Sequence, residues 1–351
     1  MLMQTIVVLG IVLPQLLPAQ TVHGTGSTFP SPLLSEFFKR YRTVNASAKL
    51  HYTPAGAAKG VEELIGGKAD FAATEAPPTD EQMKRAREKL GGDVLQVPMV
   101  LDAVVPIYNV DGVNVELKFT SAALAGIYLG TITKWDDPAI AKVNPGVLLP
   151  DEKIMVVHRS DDSDTTYLWT DFLSKVSPTW ASGPGRGLNV KWPVGVGAIG
   201  DDGEEDLVLG TRNDYLIDNV IRGISNSIGY VELHYAIQRR LPYGDVQNAS
   251  GAFTRAANSS IMAEAASAAN SIPDAFRSSL TNVPSQIGYP ISSFTWILVP
   301  ANMRDKGKAK TMADFMKWML KEGQETAEAL HYVRLPSSIV DRALVEVAKL
   351  Q

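Results

Sequence analysis

Ile154-Met155-Val156-Val157-His158-Arg159-Ser160-Asp161-Asp162-Ser163-Asp164-Thr165-Thr166-Tyr167-Leu168-Trp169 holds an apolar run, a cation, a cluster of hydroxyls and carboxylates, and then a second apolar pattern. It reads as a strand that ends in a polar loop and opens a helix. The first turn of a helix leaves backbone N–H groups unpaired and carries the positive end of the dipole, so it favours an anion. Arg159 adds a planar donor fork suited to an oxyanion. Asp161, Asp162 and Asp164 place negative charge in the same loop, so the stretch is an anion seat lined with carboxylates.

The same strand–loop–helix unit recurs. Val22 to Gly24 leads into Thr25-Gly26-Ser27-Thr28-Phe29-Pro30 and a helical pattern at Leu33, Leu34, Phe37, Phe38 and Tyr41. Ser27 or Thr28 is the expected cap of that helix, with Pro30 in its first turn. Lys49 to Tyr52 reads as a strand and Gly56 to Gly60 as a loop. A helix with Val61, Leu64 and Ile65 inward follows, and Ala69 to Ala73 is a short buried strand. Alternation of this kind predicts an α/β fold with mainly parallel sheets. Two long extended passages, Val97 to Tyr108 with Asp102 in its middle and Tyr289 to Val299, are candidates for paired crossovers between two lobes. Helical periodicity returns at Met312, Phe315, Met316, Met319 and Leu320. Residues 182–187 and 200–205 are loop-like, and the acidic run 201–206 reads as a solvated surface loop.

The 351 residues are enough for two domains. A net charge of −5 argues against a broad basic field for nucleic acid. There is no cysteine, which removes disulfides, thiolate chemistry, cysteine-based zinc sites and the lipidated cysteine of a bacterial lipoprotein. His23, His51, His158, His234 and His331 are scattered without metal-ligand spacing, so no metal or cofactor is expected and catalysis has little to work with. Only His158 neighbours the Arg159 loop, and strand alternation allows it to face the other side. Ile6 to Leu13 opens an apolar stretch that fades by Gln20, which fits a signal-peptide core better than a buried first strand. Its start lacks Lys or Arg, and Leu17-Pro18-Ala19 is a poor cleavage site. No other stretch is long enough to span a bilayer, so the mature chain is expected in solution, secreted to the periplasm or outside the cell.

Several motifs resemble the phosphate-binding proteins that deliver phosphate to bacterial ABC transporters. The firmest are Gly26 to Pro32, Ala69-Asp70-Phe71-Ala72-Ala73-Thr74-Glu75-Ala76-Pro77, and Ile127 to Pro138. Lys191 to Gly195 and Ile228-Gly229-Tyr230-Val231-Glu232 add to them. The resemblance spans nearly all of the chain after residue 20. It implies a two-lobe, type II periplasmic-binding-protein-like fold with a ligand cleft between lobes joined by crossover strands. The division it implies is a signal peptide over 1–20, lobe I over 21–102 and 292–351, and lobe II over 103–291. The implied function is binding of inorganic phosphate or a related oxyanion without catalysis, and the implied partner is an ABC transporter permease.

Carried over by position, Thr28 donates its hydroxyl and Phe29 its backbone N–H, in a loop begun by Ser27. Arg159 is the pocket arginine, Asp161 orients it, and Ser163 and Thr165 are hydroxyl contacts. Three positions depart from the family pattern. Ala57 stands where the family has a serine, a lost hydrogen bond to a charged ligand of roughly 1.5–3 kcal/mol. Glu75 stands where the family has a proton-accepting aspartate, which rejects the protonless sulfate. Asp164 stands where the family has a glycine; its carboxylate must turn away, find a cation or repel an anion, at about 4 kcal/mol for unit charges ~4 Å apart at an effective dielectric of about 20. The alternatives left open are an altered ligand on the same fold and a secreted phosphatase or adhesion protein.

Overall fold

In the computed structural model, residues 21–194, 214–269, 272–273 and 276–350 are described. The segment 1–20 read as a signal peptide and the acidic run 201–206 lie outside these residues. Ten strands occur among those described: β1 (Thr21–Gly26), β2 (Lys49–Pro54), β3 (Phe71–Thr74), β4 (Val94–Asn109), β5 (Lys118–Phe119), β6 (Met155–Val156), β7 (Ser227–Glu232), β8 (Asp245–Gln247), β9 (Phe253–Thr254) and β10 (Ser292–Pro300). Seven form one sheet in the order β2-β1-β3-β10-β4-β7-β6, and β5-β8-β9 form a smaller one.

The expectation of mainly parallel sheets is corrected. β1–β2, β1–β3 and β6–β7 run parallel, but β3–β10, β10–β4 and β4–β7 run antiparallel. β4 and β10 cross the middle of the molecule in opposite senses, and that forces antiparallel pairing around them. β4 covers all of the first passage and runs beyond it at both ends, and β10 covers most of the second and ends one residue past it.

β4 has 16 residues, nearly all buried. From Val94 to Ala103 it pairs with β10, and from Val104 to Asn109 with β7 on its other edge. The edges left open by this switch are partly closed by Leu101 with Val333, Ile107 with Tyr243, and the Val104 N–H on the Ile291 carbonyl. Such closure is required, because an unpaired buried backbone group costs as much as a lost hydrogen bond. Pro98 lacks a donor and sits beside a register shift in the β10 pairing, where a missing N–H is tolerated.

Helices cover the sheet. Ser31–Val44 buries Leu33, Leu34, Phe37, Phe38 and Tyr41, the face its spacing predicted. The expected cap is corrected: this helix starts at Ser31 without a side-chain cap, and Pro32 rather than Pro30 lies in its first turn. Ser27 is held elsewhere, as described below. The Gly56 to Gly60 loop is also shorter than expected, since a helix already runs over Ala57–Ile65. Gly60 lies inside that helix because the helix crosses β1 closely. A Cβ there would stand 2.3 Å from the Gly26 Cα. No described helix is long and apolar enough to cross a membrane.

Gly60→Ala is therefore expected to destabilise the chain by about 1–3 kcal/mol despite alanine's better helix propensity. A lower urea midpoint with an unchanged slope is the result to look for. An unchanged midpoint would show that the helix can lift from β1 at no cost.

Candidate functional site

Polar segments converge at the carboxyl ends of β1, β2, β6 and β7, the side on which open α/β sheets receive ligands. They wall a cavity of about 30 Å³: Ser27 and Thr28 after β1, Gly56 and Ala57 after β2, Arg159 and residues 161–165 after β6, and Glu232 ending β7. That volume holds about two waters, so a tetrahedral oxyanion needs the walls further apart. A wider groove of about 720 Å³ shares Ala57 and Asp162 with it and adds Thr74, Ala76, Tyr167, Arg186 and Arg277.

Arg159 is buried, and its Nε and Nη2 donate to the two carboxylate oxygens of Asp161 at 2.6 and 2.7 Å. This bidentate pair fixes the guanidinium plane at the cavity wall. The Arg159 N–H donates to the Tyr230 hydroxyl at 3.2 Å, and that hydroxyl also pairs with Thr166 Oγ1 at 2.8 Å. Tyr230 in turn stacks on Trp169. The loop is thus tied to both β7 and the helix Asp164–Val176. Asp162 is exposed. His158 turns from the cavity, stacked on Trp192 at 4.6 Å, and burial pushes its pKa down.

The helix Asp164–Val176 opens at the cavity, with Ser163 as its N-cap residue and Asp164 in its first turn. Ser163 offers no capping hydrogen bond; its N–H donates to the Leu188 carbonyl. The Thr165 hydroxyl donates to Glu232, a wall carboxylate that residue spacing did not single out. Glu232 stood at the end of the quoted Ile228–Glu232 motif, and its place at a strand terminus beside an anion loop was the available signal.

On the β1 side the expected residues separate. Thr28 lines the cavity and is exposed. Phe29 is not part of the wall: its N–H donates to Ser27 Oγ at 3.3 Å, and its ring packs edge-on against His234 and Tyr332. The Tyr332 hydroxyl donates to the Phe29 carbonyl at 2.9 Å. His234 Nδ1 meets Asp102, the polar residue in the apolar crossover, at 3.1 Å. Ala57 is buried at the first turn of its helix and lines the cavity without a side-chain hydroxyl.

Asp164 resolves the charge problem by turning across the cleft. Its Oδ1 accepts from the Ala76 N–H at 3.0 Å, just after β3, and from the Oγ1 of Thr74, the last residue of β3, at 3.1 Å. Glu75, between those two residues, lies carboxyl to carboxyl with Asp164. Ser27 Oγ donates to Glu75 Oε2 at 2.7 Å, while Glu75 Oε1 is buried without a donor among the described residues. Burial first, and then the Asp164 charge, hold Glu75 well above the usual carboxylate range. Burial also raises Asp164, but hydrogen bonds from its neighbours oppose the rise. The two buried carboxyls therefore resist ionising together, and a proton is held more readily than on an isolated acid.

These residues come from both sides of β4, and a cleft of that construction has relatives. A model of the PBP superfamily domain matches residues 15–322. The Phosphate-binding protein PstS of Xylella fastidiosa is 36% identical over 320 residues, covering 91% of this chain and 82% of that one. The chain belongs to the PBP superfamily, among the PstS phosphate-binding proteins. PstS of Pasteurella multocida is 35% identical, with 92% and 89% coverage. PstS of Methanocaldococcus jannaschii is 34% identical, with 91% and 83% coverage. Among solved structures, a phosphate-binding protein from Stenotrophomonas maltophilia aligns with a TM-score of 0.66 at 18% identity over 93% of each chain. An ABC-type phosphate transport receptor from Vibrio cholerae aligns at 0.59 and 15% identity, over 90% of this chain and 100% of that one. These two share the α/β fold expected from the sequence.

The proton held by Glu75 has a measurable consequence. A folded pKa above the unfolded one means that folding takes up a proton between the two values. The stability it carries is full below the ordinary carboxylate range and is lost as pH rises through the raised value. Glu75→Gln replaces a neutral carboxyl by a neutral amide. Its urea midpoint is expected to fall less than that of the unmodified chain as pH rises above the ordinary carboxylate range, because the stability tied to the raised Glu75 pKa is lost there. Superimposable profiles would place the proton elsewhere.

Proposed function

We propose that this chain is an exported solute-binding protein that takes inorganic phosphate, or an oxyanion of the same shape, into the cleft walled by Ser27, Thr28, Ala57, Arg159, Ser163, Asp164 and Thr165. Asp161 also lines it and holds Arg159, while Phe29 and Glu75 support it from behind. The observation that carries this reading is the buried Arg159, fixed by both oxygens of Asp161 beside the start of the helix Asp164–Val176. Fixed donors and a helix N-terminus stabilise an oxyanion without moving to meet it. The PstS names of the relatives above support phosphate as that oxyanion.

Lobe I is 21–102 with 292–351, and lobe II is 103–291. The partner change of β4 between Ala103 and Val104 supports a hinge there. Loaded protein delivers its ligand to an ABC transporter permease, and residues 1–20 direct export. The chain binds and releases its ligand without chemistry; His158, the histidine beside the Arg159 loop, points into the Trp192 stack.

Calorimetric titration of the purified protein with phosphate tests the reading. Binding with one site per chain is expected. Arg159→Ala is expected to weaken it about a hundredfold, the loss of two charge-assisted hydrogen bonds. Ala57→Ser, which restores a wall hydroxyl, is expected to tighten it about tenfold. No heat with phosphate, arsenate or phosphite in ligand-free protein rejects phosphate-class binding.

A further inference from the structure

We propose that the cleft also takes phosphate monoesters of small polyols, with the phosphoryl group in the Arg159 cavity and the hydroxylated substituent in the neighbouring groove of about 720 Å³. This rests on the phosphate reading above and adds a second class of ligand to it.

The cavity and the groove meet at a seam. Ala57, after β2, and Asp162, after β6, line both, and they come from opposite sides of β4. Elsewhere the cavity wall is tied by bonds. Arg159 is paired with Asp161, Thr165 with Glu232, and Asp164 with the Ala76 N–H and Thr74 Oγ1 across the cleft. At the seam, Ala57 offers only a methyl group. The Asp162 carboxylate is exposed and has no hydrogen bond or ion pair among the described residues. Seating a tetrahedral oxyanion requires the walls to separate, and this unbonded seam is where they part at least cost. A monoester keeps three terminal oxygens for Arg159 and the helix starts, and its single bridging oxygen leads the substituent out through the seam.

The chemistry of the groove selects the substituent. Its volume falls within the roughly 300–1,000 Å³ of ordinary small-molecule sites. The helix after β2 and the loop after β3 contribute the apolar Ala58, Val61, Pro77 and Pro78, while Tyr167, Arg186, Asn189 and Arg277 contribute polar groups. A polyol offers C–H groups to the first set and hydroxyls, which both donate and accept, to the second. Asp162 at the seam accepts from a hydroxyl but repels a second phosphate, and Asp80 in the groove adds to that repulsion. A bare alkyl chain would desolvate the polar groups without pairing them. Those groups are held in place. Arg186 donates to the buried Asp171 at 3.0 Å, and the same carboxylate accepts from Ser279 and Thr281 and pairs with Lys175 at 3.2 Å. On the other side of Arg277, Phe276 takes a left-handed backbone (φ 53°), its ring buried against Phe294 and its carbonyl accepting from Gln96 Nε2 at 3.3 Å. A bulky residue adopts that conformation only where its surroundings enforce it. Arg277, anchored from both sides, is exposed in the groove and has no partner among the described residues, so its donors are free for a hydroxyl.

Inorganic phosphate, glucose 6-phosphate and pyrophosphate are titrated calorimetrically into the unmodified chain, Arg277→Ala and Asn189→Ala at one ionic strength, with thermal unfolding as the control for folding. Glucose 6-phosphate is expected to bind at one site per chain and to be displaced by phosphate, and pyrophosphate to bind more weakly than the ester. Arg277→Ala is expected to weaken glucose 6-phosphate about tenfold and to leave inorganic phosphate within about threefold. Asn189→Ala provides the same test if the arginine variant does not fold. Equal losses for the two ligands would make the groove a general attractor of anions and overturn the assignment. So would an ester affinity unchanged in every folded variant, or pyrophosphate binding more tightly than the ester. A chain that binds phosphate but not glucose 6-phosphate rejects the ester site alone. A chain that does not bind phosphate rejects the phosphate reading itself, on which the ester site rests.

Discussion

The molecule depends on one strand having two sets of partners. β4 runs buried for 16 residues and exchanges β10 for β7 between Ala103 and Val104. Every N–H and C=O along it needs a partner away from water. The strands that supply them come from segments far apart in sequence, so they are brought to the two edges of a single axis. The loops at the carboxyl ends of β1 and β2 are thereby set opposite those after β6 and β7. A ligand site made of both is a consequence of that pairing, because no single segment carries enough donors to enclose an anion.

Within the cleft, electrostatics is organised by pairing rather than by net charge. Asp161 is consumed by Arg159, Asp162 is in solvent, and Thr165 donates to Glu232. That leaves Glu75 and Asp164, two carboxyls in a buried space where both cannot ionise cheaply. A shared proton lowers the cost, and the Thr74 hydroxyl at the end of β3 and the Ala76 N–H after it stabilise the charge that remains. Asp164 is attached to one side of β4 and its donors to the other. The same contact that neutralises excess charge therefore also links the two walls of the cavity.

Much of this was legible in the residue order. The amphipathic spacing of Leu33, Leu34, Phe37, Phe38 and Tyr41, the buried strands around Phe71, and the two extended passages all appear where their patterns placed them. The parallel-sheet expectation failed because strand direction follows from how a chain returns across the core, which local alternation does not encode. Ser27 shows a local failure of the same kind. Its hydroxyl suits a helix cap, but Glu75, 48 residues away, outcompetes the helix for it. Glu232 and the Asp102–His234 contact went unread because their roles exist only through partners distant in sequence.

The sequence by itself determined the α/β class, the two long extended passages and an arginine beside a helix start, which follow from periodicity and composition; that Asp161 holds the arginine was implied by the family resemblance. Only the tertiary structure decided what Glu75 and Asp164 do. A carboxyl's protonation depends on its burial and on the charge beside it, and here that charge arrives from 89 positions away across the cleft (75 to 164). Read singly, each is an acid near an anion site. Brought together in a buried space, they form a pair that cannot both ionise cheaply.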